Sequence, residues 1–150
     1  MATDLDKYHD LDDLGLYLTI IEKTSIIFNP TRTIQFNIIR PFDRSEKTLR
    51  YKKGVLTFRN IYQCSLDLTN EFYEYPEFYR SAILEESKLL QDTYARLEGL
   101  DKKIENKLRH FYLYIDQGNK ETEVHIICES HEMQLETEAR LLTDFEGLGE

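Results

Sequence analysis

Glu123, His125, Glu129 and His131 are the side chains of this 150-residue chain that come closest to a metal centre, four nitrogen or oxygen ligands of one parity along a single extended run. Their spacing argues against one shared ion. At about 3.3 Å per residue, His125 and His131 lie roughly 20 Å apart on a straight strand, far more than a single ion spans. Either Glu–His pair would need further ligands that the sequence does not identify, so no metal is expected. Tyr112 and Tyr114 join Glu123 and His125 by the same parity logic, and these four form a candidate ligand face. Two phenols, a carboxylate and an imidazole are the groups of a small-molecule-binding or acid–base site.

Other catalytic patterns are missing. Cys64 and Cys128 both fall on apolar positions, where a thiol behaves as an inert core group, and no disulfide is expected between them. Neither G-x-S-x-G nor H-E-x-x-H occurs, and the run Glu129 to Glu132 resembles the latter only outside a helical context. The six glycines are scattered, so no phosphate-cradling loop exists. No catalytic residue is assigned and no cofactor is expected.

A second candidate surface is aromatic. Phe72, Tyr73, Tyr75, Phe78 and Tyr79 alternate with Glu71, Glu74 and Glu77 around Pro76, a proline that marks a loop. Tyrosine supplies large contact area with a polar tip. Tyr73, Tyr75, Phe78 and Tyr79 are therefore expected to bind a partner, and the acids between them favour a partner with a basic surface.

The elements that must position these residues are legible from periodicity. The clearest is the segment from His110 to Cys128, where two alternating runs flank Gly118-Asn119, a dipeptide suited to a two-residue hairpin turn. Counting outward sets Ile115 opposite Thr122, Leu113 opposite Val124 and Phe111 opposite Ile126 on an aliphatic face. The same count sets Tyr114 opposite Glu123 and Tyr112 opposite His125 on the other, outward face. The apolar parity switches after Cys128, which predicts a bulge or bend near residues 129–131.

Upstream, Leu14, Leu16, Leu18 and Ile20 read as one strand, and Ile34, Phe36 and Ile38 as a second, with a turn at Asn29-Pro30. Pro41 is expected to end the second strand and open a basic loop. A long strand follows, with Leu56, Phe58, Tyr62, Cys64, Leu66 and Leu68 sharing one face and Asn60 as its polar exception. Residues 81–86 read as either strand or helix start. From Ser87, a plausible cap, Leu90, Tyr94, Leu97, Ile104 and Leu108 recur at helical spacing, which predicts an amphipathic helix over 87–108 that Gly99 weakens or splits.

Hydrophobic residues make up 41% of the chain and charged residues 31%, enough apolar material for one core and too much for a disordered class. The expected fold is α+β: a curved antiparallel β-sheet or partial sandwich of about six strands, with the helix packed on its apolar face. An acidic, poorly ordered segment spans 1–13, one domain spans 14–138, and an acidic tail spans 139–150. No signal peptide or membrane-spanning run is read at the start or elsewhere, so a cytoplasmic location and no membrane partner are expected.

The net charge of −9 argues against nucleic acid as a partner, because phosphate contacts need a surplus of Lys and Arg. The middle of the chain departs from that average. Residues 32–59 carry eight cations against Asp43 and Glu46, read as a solvated complement to the acidic ends or as an anion- or partner-docking loop. The composition points to a non-enzymatic protein-binding module that neutralises or regulates a basic partner, in the manner of an immunity protein. The alternative is a small-molecule-binding or enzymatic domain using the Tyr112, Tyr114, Glu123 and His125 face.

Overall fold

The computed structural model describes residues 11–28, 31–44, 48–66, 76–100, 107–117 and 121–143, with backbone alone at 43, 44 and 143. The elements run β1 (Ile20–Ile27), β2 (Thr33–Arg44), β3 (Thr48–Ser65), β4 (Glu77–Leu84), α1 (Lys88–Gly99), β5 (Arg109–Asp116), β6 (Glu121–Leu135) and β7 (Arg140–Thr143). The fold is thus a mostly antiparallel sheet with a helix. Its seven described strands lie in the order β2-β1-β4-β5-β6-β3-β7, and β2 also pairs with β3. That extra pairing closes six strands into a ring. The long β3 carries β2 along one edge, and β6 followed by β7 along the other.

Strands β1 to β3 form a meander, and β4 returns to lie beside β1, the order of a Greek key. The β1–β4 seam is narrow. It consists of the pair Ile20 and Glu77 together with hydrogen bonds from Leu18 N to Phe78 O, Phe78 N to Thr19 O and Ile21 N to Pro76 O. Closure removes the exposed sheet edge that an open curved sheet would leave at this point.

The barrel interior is filled. Cross-strand rows Ile34–Phe58, Phe36–Leu56 and Ile38–Gly54 between β2 and β3 face Phe111, Leu113, Val124 and Ile126 of β5 and β6. Edge-to-face rings cross the interior, Phe36 with Phe78 at 5.3 Å and Phe58 with Phe111 at 5.0 Å between centroids. Leu14 and Leu16 complete this core from the segment that precedes β1.

The expected hairpin register is the observed one: Phe111–Ile126, Leu113–Val124 and Ile115–Thr122 pair, as do Tyr112–His125 and Tyr114–Glu123. Gly118-Asn119 itself lies outside the described residues, as does Asn29-Pro30. Residues 81–84 resolve as strand, within β4.

Several expectations need correction. Residues 14–19 are not strand, because Leu18 sits at φ 61°, a left-handed conformation that breaks an extended run. Order also begins before residue 14. Asp12 accepts from Ser81 Oγ and Leu16 N, and Asp13 accepts from Ile83 N, which ties this segment to β4.

Pro41 does not end β2. It lies beside a register shift between Pro41 and Asp43, where a missing N–H is tolerated, so the basic stretch is largely a β2–β3 hairpin rather than a loop. The helix stops at Gly99 with Leu100 as its cap, and Leu108 lies beyond it as a buried residue. Part of the expected tail is strand, since Arg140–Thr143 pairs with β3.

The long strand changes face midway. Phe58 points inward, yet so does Ile61, while Tyr62 lies beneath the helix and Cys64 is exposed. Asn60, at φ 56°, makes the change, and the register of β3 against β6 shifts between Ile61 and Gln63. Across from it, β6 changes parity in step, with Cys128 inward and then Met133 packed on the same core.

Candidate functional site

The outer face of β5 and β6 was expected to be half-exposed, and it is largely covered. His110, Tyr112 and Tyr114 alternate outward along β5, with Glu123, His125 and Ile127 outward on β6. Helix α1 lies over one part of this face, where Leu90 and Leu97 pack with Leu108 and Ile127. Leu11, Tyr79 and Leu84 pack against Tyr112 and Tyr114 over another part. Tyr112 is fully buried and Tyr114 nearly so. The helix therefore sits on the tyrosine–histidine side and not on the aliphatic face, because barrel closure has already used the aliphatic side chains to fill the interior.

Under the helix N-terminus lies a chain of four polar side chains. Ser87 Oγ accepts the Leu90 N–H at 3.0 Å, the expected cap, and lies 2.8 Å from His110 Nδ1. His110 Nε2 lies 2.8 Å from His125 Nδ1, and His125 Nε2 lies 3.1 Å from Glu123 Oε2. Donors and acceptors run in one direction when both imidazoles are neutral. The Ser87 hydroxyl donates to His110, His110 Nε2–H donates to His125, and His125 Nε2–H donates to the Glu123 carboxylate.

The geometry is that of a hydrogen bond and not of a shared metal. The two ring centres are 5.1 Å apart, essentially the nitrogen–nitrogen distance plus two ring radii, so the rings meet end on. Two imidazoles on one zinc ion converge on a point off that line, with nitrogens roughly 3.3 Å apart. Among the described residues no group of three or more His, Cys, Asp and Glu is placed to hold an ion.

The other half of the proposed ligand set is elsewhere. Glu129 accepts from Asn60 Nδ2 at 3.0 Å and from the Tyr62 hydroxyl at 3.1 Å. His131 packs against the rings of Phe111 and Phe58, at 4.8 and 6.3 Å between centroids. Burial, and then the nearby Arg109 charge, lower its pKa. Tyr114 bonds to Glu121, and burial followed by that contact pushes its hydroxyl up to about 12.

Neither thiol is poised for chemistry. Burial pushes Cys128 up to about 12, and desolvation also raises the Cys64 thiol although that residue is exposed.

The aromatic partner surface is also redistributed. Phe78 is wholly buried in the barrel interior against Phe36, which removes it from any contact surface. Tyr79 is half-buried, 5.4 Å from the Tyr17 ring and 6.2 Å from the Tyr114 ring, with the Arg80 guanidinium over its face at 5.3 Å. Tyr73 and Tyr75 lie outside the described residues.

Two features escaped the sequence reading. His110 shares the parity of Tyr112 and Tyr114, and that spacing alone placed it on their face. The second is the end of the barrel at the β1–β2 hairpin, where Ile26, Ile27 and Phe28 are exposed, Phe28 at 76%. They border a cavity of about 330 Å³ that Ile34, Ile61 and Leu66 also line. Three consecutive large apolar residues just before Asn29-Pro30 were the available signal.

No known protein family, curated protein or solved structure matches this chain.

Proposed function

We propose that the chain is a non-catalytic protein-binding module that grips a partner at the β1–β2 end of the barrel. The carrying observation is the exposed run Ile26, Ile27 and Phe28 beside an apolar cavity. Apolar side chains gathered around a concavity are the usual core of a recognition surface, and an aromatic at its centre commonly dominates the binding energy. The net charge of −9 favours a partner with a basic surface, which the acidic chain attracts and neutralises.

A catalytic reading finds less support. Ser87, the hydroxyl on the histidine chain, is occupied as the helix cap. The described cavities are lined by other residues.

Site-specific photo-crosslinking in the native cell tests the proposal. A photoreactive phenylalanine analogue in place of Phe28 should yield a discrete adduct with a basic protein, and Ile26→Asp should abolish it. The same analogue at Asp92, on the exposed side of α1, should not form that adduct. Identical adducts from both positions, or none at 28, would overturn the reading.

A further inference from the structure

The opposite end of the barrel carries a separate arrangement. The inward rows of β2 and β3 descend as Ile34–Phe58, Phe36–Leu56 and Ile38–Gly54, and the next pair in the series is Arg40–Lys52. Strand alternation puts both cations on the inward side of the barrel mouth, directly across from one another. Like charges in that position destabilise a sheet.

The chain has 28 acidic residues, yet no carboxylate among the described residues pairs with either cation. Among the described residues neither Arg40 nor Lys52 forms an ion pair or a side-chain hydrogen bond. Two described acids of neighbouring strands are committed elsewhere. Glu22 pairs with Lys53, and Glu136 pairs with Arg140 and accepts the Lys53 backbone N–H.

The surroundings hold the two cations in a shaped space. Arg40, Lys52, Phe42 and Leu135 line a cavity of about 320 Å³, at the small end of the range that takes organic ligands. Both cations are half-buried. Gly15, at φ 65°, makes room for the guanidinium, since a Cβ there would stand 3.3 Å from Arg40 Nη2. Leu135 lies so close over Gly54 that its Cδ2 would be 2.6 Å from a Cβ at that position, which lays an apolar wall next to Lys52.

We propose that this mouth binds an amphipathic anion, a carboxylate or phosphate head between Arg40 and Lys52 with a short apolar tail against Phe42 and Leu135. A guanidinium fork and an ammonium together satisfy such a head, and its charge relieves their mutual repulsion. The site is independent of the protein-binding end.

Calorimetric titration of the full chain with hexanoate, hexyl phosphate, inorganic phosphate and hexanol tests this. At least one amphipathic anion should bind. Inorganic phosphate and hexanol should be weaker by about tenfold or more, and Arg40→Gln or Lys52→Gln should each weaken binding by about tenfold or more. Hexanoate alone would identify a carboxylate ligand and hexyl phosphate alone a phosphate ligand, and either supports the proposal. Lys52→Glu supplies a variant that folds: it places an opposite charge across from Arg40, so it should melt no lower than the parent while losing the anion. No binding of either amphipathic anion would overturn the site. So would inorganic phosphate as tight as hexyl phosphate, or affinity retained in Lys52→Glu.

Discussion

His110 and His125 meet nitrogen to nitrogen at 2.8 Å across the β5–β6 pair, and through Ser87 this contact fastens the start of α1 to the barrel wall. Removing one ring takes from the other a hydrogen bond made where His110 is buried and His125 partly so, which costs about 1–3 kcal/mol, whereas removing both forfeits that bond only once. His110→Phe and His125→Phe should therefore each destabilise the fold, and the double variant should lose less than the sum. Urea unfolding of the four-member cycle reads the coupling directly, and strict additivity would contradict the latch.

His131 should make the fold acid-sensitive. Burial and Arg109 hold its folded pKa below the ordinary 6.5. Below that value the unfolded chain takes up a proton that the folded chain refuses, so stability is full above about 6.5 and declines as pH falls toward the depressed folded pKa. His131→Phe, which keeps a ring against Phe58 and Phe111, should flatten this part of the profile. Thermal melts from pH 7.5 down to 5 compare the two slopes, and equal slopes would assign the acid loss to other groups.

Thr19 is fully buried, and its hydroxyl has no hydrogen-bond partner among the described residues. An unsatisfied buried hydroxyl costs about 1–3 kcal/mol. Thr19→Val keeps the shape and removes the polar atom, so its denaturation midpoint should rise. A lower midpoint would mean that the hydroxyl is satisfied in solution.

Gly54 admits no side chain. A Cβ there would lie 2.5 Å from the Gln134 carbonyl oxygen, a backbone atom that cannot swing away. Gly54→Ala should cost about 1–3 kcal/mol or more by forcing β3 from β6. Hydrogen exchange should report the loss first at the Gly54–Leu135 end of that pair.

How far the sequence reached is clearest at particular residues. The β5–β6 register was readable because alternation has a period of two, and only one pairing puts Phe111, Leu113, Val124 and Ile126 together. Alternation says which side chains share a face, not what will lie on it. Hence Tyr112 and His125 were correctly grouped on an outward face, although α1 and the chain before β1 cover much of that face. The face change at Asn60 was invisible for a different reason: a single left-handed residue brings Ile61 inward out of the alternation, and Asn is ordinary in composition.

The amino-acid sequence by itself determined the strand-forming runs, the hairpin register, the cap at Ser87 and the acidic balance, because propensity, parity and charge are local properties that survive in any fold built from these segments. Tertiary structure alone decided that the sheet closes through the β1–β4 seam, that Phe78 points inward, that Ser87 joins His110, His125 and Glu123, and that Arg40 faces Lys52 at the barrel mouth. Each of these is a contact between segments distant along the chain, and its geometry exists only once the whole ring of strands has set their relative positions.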